Sequence, residues 1–180
     1  MHDSFRRDNL KQALGAMAFG ALVAGCAGMA PAGPSAVADL APTQGSNAAG
    51  TVTFTQKGDK VVVVAKVSGL APGMHGFHIH EKGDCSSGDG MSAGGHFNPL
   101  GKPHAHPTTM DRHAGDMPML AADAAGSASL TVELDVITVG SGAADVVGRG
   151  LIVHKDPDDF KTQPTGNSGA RVACGVIRKS

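Results

Sequence analysis

The stretch Thr51-Val52-Thr53-Phe54-Thr55-Gln56-Lys57-Gly58-Asp59-Lys60-Val61-Val62-Val63-Val64-Ala65-Lys66-Val67 decides the fold class. Its first six residues alternate with period two, Lys57 to Lys60 supply a turn with a glycine for positive φ, and the valine-rich run that follows favours a pleated strand. The segment reads as a β-hairpin. Leu130 to Val136 alternates in the same way, and Gly150 to His154 and Arg171 to Ile177 are two further short apolar runs. No stretch beyond residue 25 carries a sustained helical period. Short strands joined by Gly- and Pro-rich connections predict an all-β, antiparallel sandwich or barrel, with residues 82–126 and 155–169 as long functional loops.

Composition narrows the function. Lys and Arg number 15 against 16 Asp and Glu, so no broad basic surface exists for nucleic acid. With no Trp, no Tyr and six Phe, base-stacking platforms are hard to build. The 180 residues suit one domain. Arg6, Arg7 and Lys11 precede the apolar run Ala13 to Val23, which is short for a membrane span and reads as a signal peptide. Val23-Ala24-Gly25-Cys26 resembles a bacterial lipobox, in which the Cys26 thiol is acylated. The expected organisation is therefore a lipoprotein signal peptide over 1–25, a lipid-anchored flexible tether over 26–49, poor in charge and rich in Ala, Gly and Pro, and a folded domain over 50–180. Cleavage before Cys26 removes three basic and two acidic residues and moves the net charge from −1 to −2. Ala27 is not the acidic residue associated with inner-membrane retention, which points to a periplasm-facing outer-membrane lipoprotein.

Nine histidines carry the chemistry. His78 and His80 are two apart, so on a strand they project from one side and can share a metal, whereas His75 follows the other face. His96, His104, His113 and Asp116 fall in one Gly- and Pro-rich segment that can wrap a tetrahedral ion, a donor set that suits zinc. Imidazoles from separate strands suit copper, and His154 at a strand end is the natural partner of His78 and His80. In Pro103-His104-Ala105-His106-Pro107 spacing alone leaves His106 as an alternative to His104.

Five strings occur in order: Gly76-Phe77-His78-Ile79-His80-Glu81, Gly94-Gly95-His96-Phe97-Asn98-Pro99, Arg112-His113-Ala114-Gly115-Asp116, Gly148-Arg149-Gly150-Leu151-Ile152-Val153-His154, and Gly166-Asn167-Ser168-Gly169-Ala170-Arg171-Val172-Ala173-Cys174-Gly175-Val176-Ile177. Together they closely resemble the copper/zinc superoxide dismutase family, over roughly residues 50–178. The resemblance implies an antiparallel Greek-key β-barrel with long metal-binding and electrostatic loops. It implies an antioxidant oxidoreductase that dismutes superoxide to oxygen and hydrogen peroxide by Cu(II)/Cu(I) cycling, with structural zinc. Carried over residue by residue, copper falls to His78, His80, His96 and His154, and zinc to His96, His104, His113 and Asp116. His96 is then the shared imidazolate and a proton donor. Asp158 matches an outer carboxylate joining a copper-side to a zinc-side histidine, and Arg171 the cation that steers the superoxide anion. Cys85 and Cys174 occupy the positions of the family's intrasubunit disulfide, in keeping with secretion. A periplasmic metal carrier is the rival class, but relatives without activity typically lack a copper ligand or the arginine, and here all are present. Oligomeric state, a homodimer included, is left open.

Overall fold

The computed structural model describes residues 33–180; the expected signal peptide and Cys26 lie outside the described residues. At its centre is the predicted hairpin. Strand β2 (Ala49–Lys57) pairs antiparallel with β3 (Lys60–Ser68), with Val52 opposite Ala65 and Phe54 opposite Val63. Gly58 takes φ 61° in the two-residue connection, a conformation glycine adopts without steric cost. Period-two patterning puts Val52 and Phe54 with Val61, Val63 and Ala65 inside, all fully buried.

The expected tether over 26–49 requires correction. Ser35–Pro42 form strand β1, which pairs with β2 along Ser35–Leu40 and meets Cys174 and Ala173 through Ala41 and Pro42. Ala36, Ala38 and Leu40 are buried, with Ala36 opposite Phe54 and Ala38 opposite Val52. Small alanines alternate here because the neighbouring face already holds bulky side chains. A stretch of such low apolar mass acquires strand character from its partners rather than from propensity. The folded unit therefore reaches at least to residue 35 instead of starting at 50.

The remaining strands are β4 (Gly73–His75), β5 (Phe77–His80), β6 (Leu120–Ala122), β7 (Ala128–Leu134), β8 (Gly150–His154), β9 (Arg171–Val176) and β10 (Arg178–Lys179), with one 3-10 turn over Met91–Ala93. All strand pairings are antiparallel, in the order β4-β6-β7-β3-β2-β1-β9-β8-β5, with β10 also on β1. The two ends of that order, β4 and β5, are separated by Gly76 alone. The chain itself thus joins the sheet's ends, and the result is a nearly closed all-β barrel around a main hydrophobic core, with a small second cluster of Ala93, Ile152 and Cys174. Strand β7 lies two residues upstream of its expected position, and β4 and β6, too short to show a pattern, are additions to the reading.

Strand β5 ends the sheet, and its free edge is covered by the long connection between β5 and β6. Ile79 N donates to Gly115 O at 3.0 Å, Phe97 N to Ile79 O at 2.8 Å, and Gly115 N to Phe97 O at 2.9 Å. Isolated bridges set His78 against Asp116 and His80 against His96. Covering an edge strand satisfies its backbone groups. Here it also delivers loop histidines to strand histidines. Gly115 permits the approach, since a Cβ there would overlap the carbonyl of Ile79.

Candidate metal centre

Seven residues from strands and loop converge beneath the surface. His78, His80, His96, His104, His113, Asp116 and His154 are all buried. They form two groups. One donor atom each from His78, His80, His96 and His154 lies within 4.8 Å of the others, and the same holds for His96, His104, His113 and Asp116. His96 belongs to both.

In the first group, each ring has one nitrogen occupied and the other orphaned. His80 Nδ1 lies 2.9 Å from Gly94 O, His154 Nδ1 3.3 Å from Gly169 O, and His78 Nε2 2.6 Å from Asp158 Oδ2. A carbonyl or carboxylate can only accept, so each contact places the N–H there and leaves a lone pair on the opposite nitrogen. Those opposite atoms, His80 Nε2, His154 Nε2 and His78 Nδ1, are buried without any hydrogen-bond partner, and so is His96 Nε2. Four orphaned imidazole nitrogens in one place would each forfeit solvation with no return. A cation with affinity for neutral nitrogen answers all four at once, and copper fits this set.

In the second group the donor atoms already stand at separations that suit the corners of a tetrahedron. Asp116 Oδ1 lies 3.0 Å from His96 Nδ1, 2.9 Å from His104 Nδ1 and 3.4 Å from His113 Nδ1, while His113 Nδ1 and His96 Nδ1 are 3.4 Å apart. Ligands held 2.0–2.1 Å from a zinc ion stand roughly 3.3 Å from one another. Three nitrogens and one carboxylate oxygen fit zinc. The second carboxylate oxygen of Asp116 accepts from the backbone N–H of Ala105 and His113, both at 3.1 Å, which fixes the group's orientation.

Protonation follows from the surroundings. Burial pushes His96 down to about 4 and His154 to about 3, and holds His80 well below its ordinary 6.5, with neighbouring imidazoles and Arg171 adding to the effect. All three are neutral at pH 7, as metal binding requires. Burial also opposes charge on His104, but its hydrogen bonds to Asp116 and Asp158 outweigh it and raise the ring to about 9. Those partners, with His113 and His96, keep Asp116 far below the usual carboxylate range despite its own burial.

Asp158 joins the groups, with Oδ2 on His78 Nε2 at 2.6 Å and Oδ1 on His104 Nε2 at 3.0 Å. Its neighbour Asp159 instead caps the turn through Lys161 N and Thr162 N. His106 is exposed, and its Nδ1 accepts from Thr108 N at 3.3 Å, outside both groups. His75 also lies outside them, with its ring between the carbonyls of His154 and Ala71, each at 2.8 Å. Half-buried Arg171 donates to Gly90 O and Gly94 O, both at 2.6 Å. Cys85 and Cys174 are disulfide-bonded, with Cα atoms 5.8 Å apart. This ties the segment that carries Gly90 and Gly94 to the strand of Arg171.

Two contributors escape the sequence reading. Gln163 bonds the backbone of His104, and Gly166, at φ 67°, sits where a Cβ would overlap Asp158 Oδ1. Gly166 carries a signal in principle, as a glycine inside a long polar loop marks a tight approach. Gln163 carries none, because its role depends on which chain segment lies opposite.

The profile described as Copper/zinc superoxide dismutase (SODC) matches residues 48–177. Among solved structures, one titled "Crystal Structure Analysis of the clock protein EA4" is similar at 41% identity and a TM-score of 0.73, covering 80% of this chain and 93% of that one. Both agree with the antiparallel β-barrel described above. The chain belongs to the copper/zinc superoxide dismutase family.

Proposed function

We propose that this chain works as a superoxide dismutase in a bacterial cell envelope, with copper held by His78, His80, His96 and His154 and zinc by His96, His104, His113 and Asp116. Two superoxide ions and two protons become one oxygen and one hydrogen peroxide. The observation that carries this reading is the set of four buried, unpartnered ring nitrogens, one of them on a histidine whose other nitrogen faces the zinc donors. When bound, copper supplies the one-electron couple that takes an electron from one superoxide and returns it to the next, and zinc supplies fixed positive charge.

The chain's own residues do the rest. The carbonyls of Gly94 and Gly169 and the carboxylate of Asp158 hold three rings in the tautomer that exposes the right nitrogen. His96 Nε2, on the ring whose other nitrogen faces the zinc donors, is the atom that holds and gives up a proton. Arg171 draws the anion in and orients it, since two of its N–H groups are anchored and the fork remains planar and charged. The test is a superoxide-decay assay together with metal analysis. Turnover that requires copper and about one copper and one zinc per chain are expected, and metal-independent decay would overturn the reading.

Lipidation of Cys26 supports residence at the envelope, since the lipobox-like Val23-Ala24-Gly25-Cys26 follows an apolar run. Cys26→Ser is expected to abolish partitioning of the processed protein into detergent. A wild-type protein with no acyl mass would refute the anchor.

A further inference from the structure

The backbone of the zinc-binding segment has little secondary structure to hold it. Between Pro99 and Thr108 two backbone-to-backbone hydrogen bonds lie beyond regular elements, Gly101 N to Asn98 O at 3.4 Å and Thr109 N to His106 O at 2.8 Å, and neither involves His104. Side-chain amides take over. Asn98 Nδ2 donates to Lys102 O at 2.8 Å, and Lys102 N donates to Asn98 Oδ1 at 2.9 Å. Two residues on, the arrangement recurs from across the structure: His104 N donates to Gln163 Oε1 at 2.8 Å, and Gln163 Nε2 donates to His104 O at 2.7 Å. Gln163 thus gives His104 one donor and one acceptor, as a paired strand would.

His104 is held from three sides. Its Nδ1 faces Asp116, its Nε2 faces Asp158, and its main chain is read by Gln163. Asp158 and Gln163 both belong to the connection between β8 and β9, which also braces itself: Asp159 N donates to Gly166 O at 2.9 Å and Gly166 N to Thr162 O at 2.7 Å. His78 and His80 are fixed by the β5–β8 ladder, and His154, at the end of β8, pairs with Arg171 and donates its N–H to Gly76 O at 2.8 Å. The zinc-side histidine has no such ladder.

We propose that Gln163 is a positioning residue for zinc, acting through the backbone of His104, so that order in the β8–β9 connection sets zinc affinity and leaves copper affinity largely untouched. The inference rests on His104 being a zinc ligand. Partners of this kind, outside the ligand set, typically change metal affinity ten- to a hundredfold. A Gln163→Met variant keeps length and apolar bulk but removes both hydrogen bonds. Gln163→Ala removes the side chain.

The test measures zinc and copper dissociation constants by competition with chromophoric chelators for wild type, both Gln163 variants and His104→Ala. Cobalt replaces zinc in parallel to report ligand geometry by its visible spectrum. The expected result is a loss of zinc affinity of at least tenfold in both Gln163 variants, a shifted cobalt band, and a copper constant within twofold of wild type. Unchanged zinc affinity, or equal loss of both metals as general loosening would give, overturns the role of Gln163. Zinc bound to His104→Ala as tightly as to wild type overturns instead the ligand assignment beneath it. Should one Gln163 variant fail to fold, the other decides.

Discussion

Arg171 and His80 meet on a single atom: the carbonyl oxygen of Gly94 lies 2.6 Å from Arg171 Nη2 and 2.9 Å from His80 Nδ1. The residue proposed to steer the anion and a ring proposed to hold copper are thereby set by the same peptide group. Gly94 is itself bent to this task at φ 74°. A change at Arg171 therefore acts twice, on the field at the site and on the clamp that orients His80.

Replacing Arg171 by Glu is expected to lower the second-order rate with superoxide at least tenfold with both metals retained, and to weaken the decline of rate with added salt. A local cation steers a small anion by roughly 10- to 1,000-fold, and a protein of net charge −1 provides no global attraction. Arg171→Lys keeps the charge but not the two-carbonyl fork, so an intermediate rate is expected. Stopped-flow decay across ionic strengths checks this, and a wild-type rate and salt slope in the Glu variant would remove Arg171 from steering.

His154→Ala is expected to abolish turnover and copper binding while zinc stays, because His154 belongs to the copper group alone. Asp116→Ala should release zinc first, since its Oδ1 touches all three histidines of that group. Metal analysis of both variants decides. Equal loss of both metals in both variants would mean one shared site rather than two.

Gly166→Ala should cost zinc and stability together. The new Cβ would overlap Asp158 Oδ1 and crowd His104 Nε2, and φ 67° disfavours any side chain there by about 1–2 kcal/mol before that clash is counted. A lower unfolding temperature and weaker zinc retention are expected in calorimetry and chelator competition. A neutral variant would show that the Asp158–His104 contact is dispensable.

Stripping both metals should leave a protein whose stability peaks near pH 6.5. His104, raised to about 9 by its carboxylate partners after burial is overcome, contributes stability fully present below 6.5 and lost as pH climbs through about 9. His96 and His154, lowered mainly by burial to about 4 and about 3, contribute stability present above 6.5 and lost as pH falls through those values. The two trends slope in opposite directions from 6.5. Thermal scans after chelation test this, and added zinc, which takes the place of the His104 Nδ1 proton, should flatten the upper limb.

Breaking the disulfide is expected to cost roughly 4 kcal/mol, because Cys85 and Cys174 are 89 residues apart and the cross-link shrinks the unfolded ensemble. Activity should fall further than metal content, since the bond anchors the segment whose Gly90 and Gly94 carbonyls hold Arg171. Denaturant titration and rate measurement on Cys85→Ser check both.

Much of this protein was legible in its residues alone. Alternation in Thr51–Val67 and the spacing His78-Ile79-His80 depend only on the two-residue period of a strand, a local rule that any partner preserves. The order of the motif strings then named the family and with it every member of the two donor groups. Other features needed the folded chain. Ser35–Pro42 looks like a linker because its inward residues are mostly alanine, and only the bulk of Phe54 and Val52 across the ladder makes them sufficient. Spacing could not separate His104 from His106; the rings differ because one is drawn between Asp116 and Asp158 while the other turns its Nδ1 to Thr108. Gln163 and the Gly94 carbonyl were invisible because their partners lie 59 and 77 residues away. Such contacts are set by how a barrel closes and which loop covers its edge strand, and that closure is a property of the whole chain.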